Sequence, residues 1–181
     1  MRSVGLTFGG VCFWIVGSGG IGVSARRGKG DLTWRKMVKL IVVGKMKNRE
    51  LAALCADYFA RLRRFGNFEC VELKDANLEA EAGRISDALK GFKGTIYALC
   101  EEGKLKTSVE LSKMLEADLL RGGSAFIIGS AYGLSPKIKE RADVLLSLSP
   151  LTFTHEFARA ILAEQLYRAK TITANTGYHH V

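Results

Sequence analysis

Residues 124–169 read SAFIIGSAYGLSPKIKERADVLLSLSPLTFTHEFARAILAEQLYRA, and this stretch decides the fold. It opens on a short apolar run, Ser124 to Ile128, of the kind that forms a buried strand. Gly129 to Leu134 then turns the chain. Ser135-Pro136 supplies an N-cap followed by proline at the first helical position, so a short helix follows. A second strand-like run, VLLSL, occupies 144–148. Thr154 can cap a long last helix reaching about Ile172, with Phe157, Ile161, Leu162 and Leu166 in an apolar stripe. Strands separated by helical crossovers are the pattern of a parallel sheet.

The same alternation extends upstream. Residues 38–43 form an apolar run with one lysine, and Asn48 can cap a helix reaching about Arg64. Residues 68–73 alternate like a strand, 77–90 read as an amphipathic helix closed by Gly91, and 95–100 read as a strand. Thr107-Ser108-Val109-Glu110 is a capping box for a helix that Gly122-Gly123 stops. Five strands and five or six helices in alternation predict a three-layer α/β domain with a mainly parallel sheet. Ligands of such sheets sit beyond the C-terminal strand ends. That points to Cys100–Gly103, Gly129–Ser135 and Ser149–His155.

Length and composition agree with one such domain. The 181 residues are 48% hydrophobic and 25% charged, which excludes a disordered chain. Net charge is +9, unevenly spread: residues 1–36 hold six basic residues and one acid. A basic domain suits a polyanionic partner. Cys12, Cys55, Cys70 and Cys100 form no CxxC pair, and the three histidines have no metal-ligand spacing with them. Reduced thiols in a cytoplasmic protein without a metal are expected.

Residues 1–36 differ from the rest. The run from Ser3 to Val23 is apolar but carries seven glycines, so it makes a poor helix and a poor membrane span. Val23-Ser24-Ala25 loosely resembles a signal-peptidase site. The preferred expectation is that residues 1–36 are an extension outside the domain, a mis-assigned start or an unstructured leader. The domain then begins at Met37.

Two linkers and the tail could carry chemistry. Ile128 to Ser135 is neither GxGxxG nor a phosphate-binding GxxxxGK[ST] loop. Its small residues nevertheless let a ligand approach the backbone. Ser147 to His155 mixes apolar residues with small hydroxyls ahead of a helix N-terminus. His155 is read as helping to cap that helix. Arg159 and Arg168, with Arg61, Arg63 and Arg64 of the first helix, are candidates for phosphate contacts. Tyr178 and His179 in the polar tail are suited to stacking on a base and handling a proton.

IIGSAYGLS, SLSPLTFTHEFAR and AEQLYRAKTITANTGYHH, in this order, resemble the C-terminal half of the 23S rRNA pseudouridine N3-methyltransferase family, ribosomal RNA large subunit methyltransferase H. VKLIVVGKMK resembles that family's start, so the resemblance covers residues 37–181. It implies a SPOUT fold with a C-terminal trefoil knot, S-adenosylmethionine as cofactor, and a homodimer acting on 23S rRNA in the large subunit or whole ribosome. By the resemblance, Leu99, Gly129, Ser130, Ser149, Pro150, Leu151, Thr152, Phe153 and Thr154 line the cofactor pocket. His179 takes up the N3 proton, Tyr178 positions the base, and the alanine-rich last helix fits a dimer face. Two departures stand out. Ser130 replaces a family glycine, where its Cβ could crowd the cofactor or its hydroxyl could donate to it. The tail also lacks the family's final cation after Tyr178-His179. A non-catalytic SPOUT-like module binding RNA or cofactor is the alternative.

Overall fold

The structure is a computed structural model, and it describes residues 5–8, 11–14 and 37–179. Two short strands, β1 (Gly5–Phe8) and β2 (Val11–Trp14), pair antiparallel with Gly5 opposite Trp14. They belong to a unit of their own, Met1–Leu32, apart from Thr33–Val181. The signal-like Val23-Ser24-Ala25 lies outside the described residues.

The second unit follows the alternation. Its elements are β3 (Met37–Val43), α1 (Arg49–Phe65), β4 (Phe68–Leu73), α2 (Leu78–Ala88), β5 (Thr95–Leu105), α3 (Ser108–Arg121), β6 (Gly123–Ile128), α4 (Pro136–Arg141), β7 (Val144–Ser147) and α5 (His155–Thr173). The expected caps hold the helix starts. The side chains of Asn48, Asn77, Thr107, Ser135 and Thr154 each accept from a backbone N–H of the following turn, and Glu110 completes the capping box with Thr107.

The sheet order is β4-β3-β6-β5-β7, and every pairing in it is parallel. Every residue of β6 is buried, as a central strand covered on both faces requires. Alternate residues of β3 feed two cores. Val38, Leu40 and Val42 join Leu62, Leu115, Leu162 and Leu166 on one face of the sheet. Ile41 and Val43 join Ala82, Ile85, Leu89 and Ile138 on the other. Helices α1, α3 and α5 therefore form one layer, and α2 and α4 the other.

A buried carboxylate ties α3 to the sheet. Asp118 is 2% exposed and accepts from the hydroxyls of Thr95 (2.5 Å), Tyr97 (2.7 Å) and Ser124 (2.7 Å). Burial pushes the Tyr97 phenol up, and its bond to Asp118 adds to this.

One detail departs from the sequence reading. β5 continues past Cys100 to Leu105, but with a register jump: Leu99 and Lys104 both pair with Leu146. Residues 100–103 are the extra length, and they bulge. Gly103 permits this, since a Cβ there would lie 2.5 Å from the Leu146 carbonyl carbon. Three of the α5 alanines belong to the core of the chain. Ala160, Ala163 and Ala169 are 5%, 0% and 0% exposed, in the layer α5 shares with α1 and α3. Their small size serves close packing within the chain.

Candidate active site

The C-terminal ends of β5, β6 and β7 open into a cavity of about 800 Å³. That volume suits a cofactor-sized ligand. Three segments make its walls: the β5 bulge, the turn after β6, and the loop between β7 and α5. Leu99, Gly129, Ser130, Ser149, Leu151, Thr152, Phe153 and Thr154 all line it. Pro150 is exposed and is not part of the wall.

The turn after β6 must be tight. A Cβ on Gly129 would lie 2.3 Å from the Gly133 carbonyl oxygen. Gly133, at φ 76°, donates its N–H to the Ser130 carbonyl at 3.0 Å. The Ser130 hydroxyl is committed elsewhere. It donates at 2.9 Å to Glu81 of α2, which is 2% exposed, and whose other oxygen accepts from the Ala76 N–H at 2.9 Å. Ser130 thus pins the turn to α2, and the expected hydroxyl donation to a cofactor is not available while that bond holds.

Small hydroxyls shape the facing loop. Ser147 Oγ donates to the Ser149 carbonyl (2.8 Å), and Ser149 Oγ accepts from the Leu151 N–H (3.0 Å). Thr152 Oγ1 donates to Glu101 Oε2 at 2.9 Å, joining the loop rim to the β5 bulge. Lys139 pairs with Glu102 across the same rim and holds that carboxyl below its ordinary range.

α5 begins at the cavity. Thr154 is its cap, accepting from the Phe157 N–H, so His155 is not. The His155 ring instead packs on Gly44, where a Cβ would meet its Nε2 at 3.0 Å. That nitrogen is buried without a partner. Glu156 Oε2 accepts from the Asn48 (2.9 Å) and Lys47 (3.1 Å) N–H groups, which depress its carboxyl and fix the start of α1. Arg159 corrects an expectation. It is 4% exposed, donates to Glu72 Oε2 (2.7 Å) and to the Gly44 carbonyl (2.8 Å), and so is not offered to a phosphate.

The tail lies further along α5. Glu164 Oε1 accepts from Arg168 Nε (2.9 Å), Arg168 Nη2 (2.5 Å) and the Tyr178 hydroxyl (3.2 Å). Tyr178 meets the Tyr58 hydroxyl at 3.3 Å, packs edge-on against Tyr167, and has the Arg168 guanidinium 4.8 Å from its ring centre. His179 Nδ1 lies 3.4 Å from Arg168 Nη1. Glu156 of the cavity wall and Glu164 are eight residues apart on α5, roughly 12 Å at the helical rise. Tyr178 and His179 are therefore not among the residues lining the cavity of their own chain.

A family model described as predicted SPOUT methyltransferase matches residues 37–179, which span both cavity and tail. Proteins named ribosomal RNA large subunit methyltransferase H are 44% identical in Streptococcus thermophilus strain CNRZ 1066 and 39% identical in Gloeobacter violaceus. Each similarity covers 98% of the relative, and 78% and 79% of this chain. The chain belongs to this SPOUT methyltransferase family. A crystal structure of the SpoU methyltransferase AviRb from Streptomyces viridochromogenes with AdoMet covers 79% of this chain and 60% of its own. Its TM-score is 0.45 at 12% identity, too low to bear on the site.

For this SPOUT methyltransferase, Glu101 and Glu102 at the rim fall in the expected Cys100–Gly103 segment, whereas several site residues escaped sequence reading: Glu81 behind Ser130, and Tyr58, Tyr167 and Glu164 around the tail. Glu81 did carry a signal. It shares the apolar face of α2 with Ile85 one turn on, a position where a charged residue is rarely placed without a partner. Among the described residues no group of three metal-ligating side chains comes together, and no helix is long and apolar enough to cross a membrane.

Proposed function

We propose that this protein transfers a methyl group from S-adenosylmethionine to N3 of a pseudouridine in 23S rRNA, acting as a cytoplasmic homodimer on the assembled ribosome. The observation that carries this reading is the cavity of about 800 Å³ beyond the parallel strands of a SPOUT-family chain. Its lining suits that cofactor. Leu99, Ile128, Leu134 and Leu148 offer apolar surface for a flat base, and Ser149, Thr152 and Thr154 offer hydroxyls for polar ends. When bound, S-adenosylmethionine would supply an electrophilic methyl on its sulfonium, leaving as the neutral thioether, and the N3 proton would be lost as the new N–C bond forms.

The residues of the chain divide the remaining work. The cavity walls orient the ligand and exclude water. Tyr178 and His179 meet the target base. Their distance from their own cavity supports a dimer in which each tail serves the partner's cavity. The exposed Leu151, Phe153 and Phe157 beside the cavity supply apolar surface for that contact. Arg63 and Arg64 are exposed on α1 and suit rRNA phosphates; Arg61 is paired with Asp57 at 2.7 Å and is a weaker candidate. The sheet order, with α5 packed beside α1 and α3, fits a trefoil-knotted C-terminal part. Residues 1–36 stand outside the methyltransferase domain in this reading.

Labelled S-adenosylmethionine incubated with ribosomes from a strain lacking the family enzyme tests the reading. Label is expected on those ribosomes and not on ribosomes that lack the pseudouridines. No label on either, with cofactor binding intact, favours the non-catalytic binding module.

A further inference from the structure

The tail cluster specifies more than a position for His179. An arginine guanidinium can only donate hydrogen bonds. In the contact between Arg168 Nη1 and His179 Nδ1, the ring nitrogen must therefore be the acceptor and carry no proton. A neutral imidazole whose Nδ1 is bare carries its hydrogen on Nε2. Nε2 is then a donor, with no lone pair free to take a proton.

Arg168 is itself fixed. Glu164 holds it through both Nε and Nη2, and these bonds raise the guanidinium further above its ordinary range. The same carboxylate oxygen takes the Tyr178 hydroxyl, and Tyr58 meets that hydroxyl from α1. Burial pushes the Tyr178 phenol up, helped by Tyr58 and Glu164, so it stays a donor. One carboxylate thereby orders the arginine that faces the histidine and the tyrosine that precedes it.

Resting on the proposed methyl transfer, we propose that Arg168 holds His179 in its Nε2–H tautomer, so that His179 meets the uracil ring as a hydrogen-bond donor and not as a base. Glu164 and Tyr58 are positioning residues for that donor. N3 deprotonation puts negative charge on the flanking carbonyl oxygens. A donor aimed at one of them stabilises the charge as it develops, and the proton itself leaves to water. The sequence-based assignment of His179 as proton acceptor is replaced by an electrostatic role.

The full-length protein, labelled with ¹⁵N at histidine, gives the first test. Long-range ¹H–¹⁵N correlation shows which ring nitrogen of His179 bears hydrogen, the signals being assigned with His179→Gln. The expected wild-type pattern is a proton on Nε2 and a bare Nδ1, becoming a mixture of tautomers in Arg168→Met. A proton on Nδ1, or the same mixture in both proteins, overturns the proposal. Methyl transfer gives the second test. His179→Gln keeps an amide donor but no basic nitrogen, and is expected within about tenfold of wild type, while His179→Ala falls by roughly 10²–10³. Gln as inactive as Ala, with cofactor affinity intact in both, removes the donor role. Failure of the wild type to methylate any rRNA sinks the proposed function and leaves the tautomer to be read from the spectrum.

Discussion

The two ends of α5 are built on opposite principles. At the N-terminal end, His155 Nε2 and Arg159 Nε are buried without partners, and the cavity rim exposes Leu151, Phe153 and Phe157. In the C-terminal half, Glu164 takes three hydrogen bonds on one oxygen and one from Gln165 on the other, and Tyr178 touches four side chains. The cavity end leaves large apolar side chains exposed, as a surface that receives a ligand or a second chain does. The tail end is preorganised, so a group that must meet a base is ordered beforehand. Arg159 and Arg168 sit nine residues apart on the same helix and embody the difference. Sequence pattern puts both at phosphates, whereas one is a buried strut and the other a half-exposed clamp.

That contrast breaks most sharply in paired substitutions. Arg159→Met is expected to cost roughly 1–3 kcal/mol in chemical denaturation, because it strands the buried Gly44 carbonyl, while Glu72 is exposed enough to be solvated. Arg168→Met is expected to stay within about 1 kcal/mol, since its ion pair is partly solvated. Equal losses in both would erase the distinction between strut and clamp.

A comparable effect sharpens the account of the cavity. Ser130→Ala takes one donor from the buried Glu81 and is expected to cost roughly 1–3 kcal/mol of stability. Calorimetric titration with S-adenosylmethionine should show weakened binding as the turn loosens. Unchanged stability together with tighter binding would mean that the serine crowds the cofactor and anchors nothing.

The smallest effect lies away from both ends. The Thr107 N–H, then Lys106 and the Thr107 hydroxyl, hold the Glu110 carboxyl down to about 2. Its contribution is complete above the ordinary value of 4.5 and is lost as pH falls towards 2. Glu110→Gln should therefore reduce stability at pH 7 slightly and leave it unchanged near pH 2 in thermal melts. A loss of equal size at both pH values would contradict the depressed carboxyl.

Helix starts were legible because caps are local: Asn48, Asn77, Thr107, Ser135 and Thr154 each bond within their own first turn. The polar run Glu101-Glu102-Gly103-Lys104 hid the continuation of β5, since its pairing comes from β7, some forty residues downstream. Both cavity linkers were visible as small-residue turns after apolar strands, and their placement follows from where parallel strands end. The partners that give side chains their roles were not visible. Glu81 meets Ser130 across 49 residues, Glu72 meets Arg159 across 87, and Tyr58 meets Tyr178 across 120.

By itself, then, the sequence determined the element order, the parallel α/β class and the family, because these rest on periodicity, caps and ordered motifs. Tertiary structure alone decided that Arg159 is spent inside the chain, that the Ser130 hydroxyl faces α2, and that the tail is clamped away from its own cavity. A side chain's chemistry is set by which groups can still reach it once its neighbours are in place, and those neighbours come from distant parts of the chain.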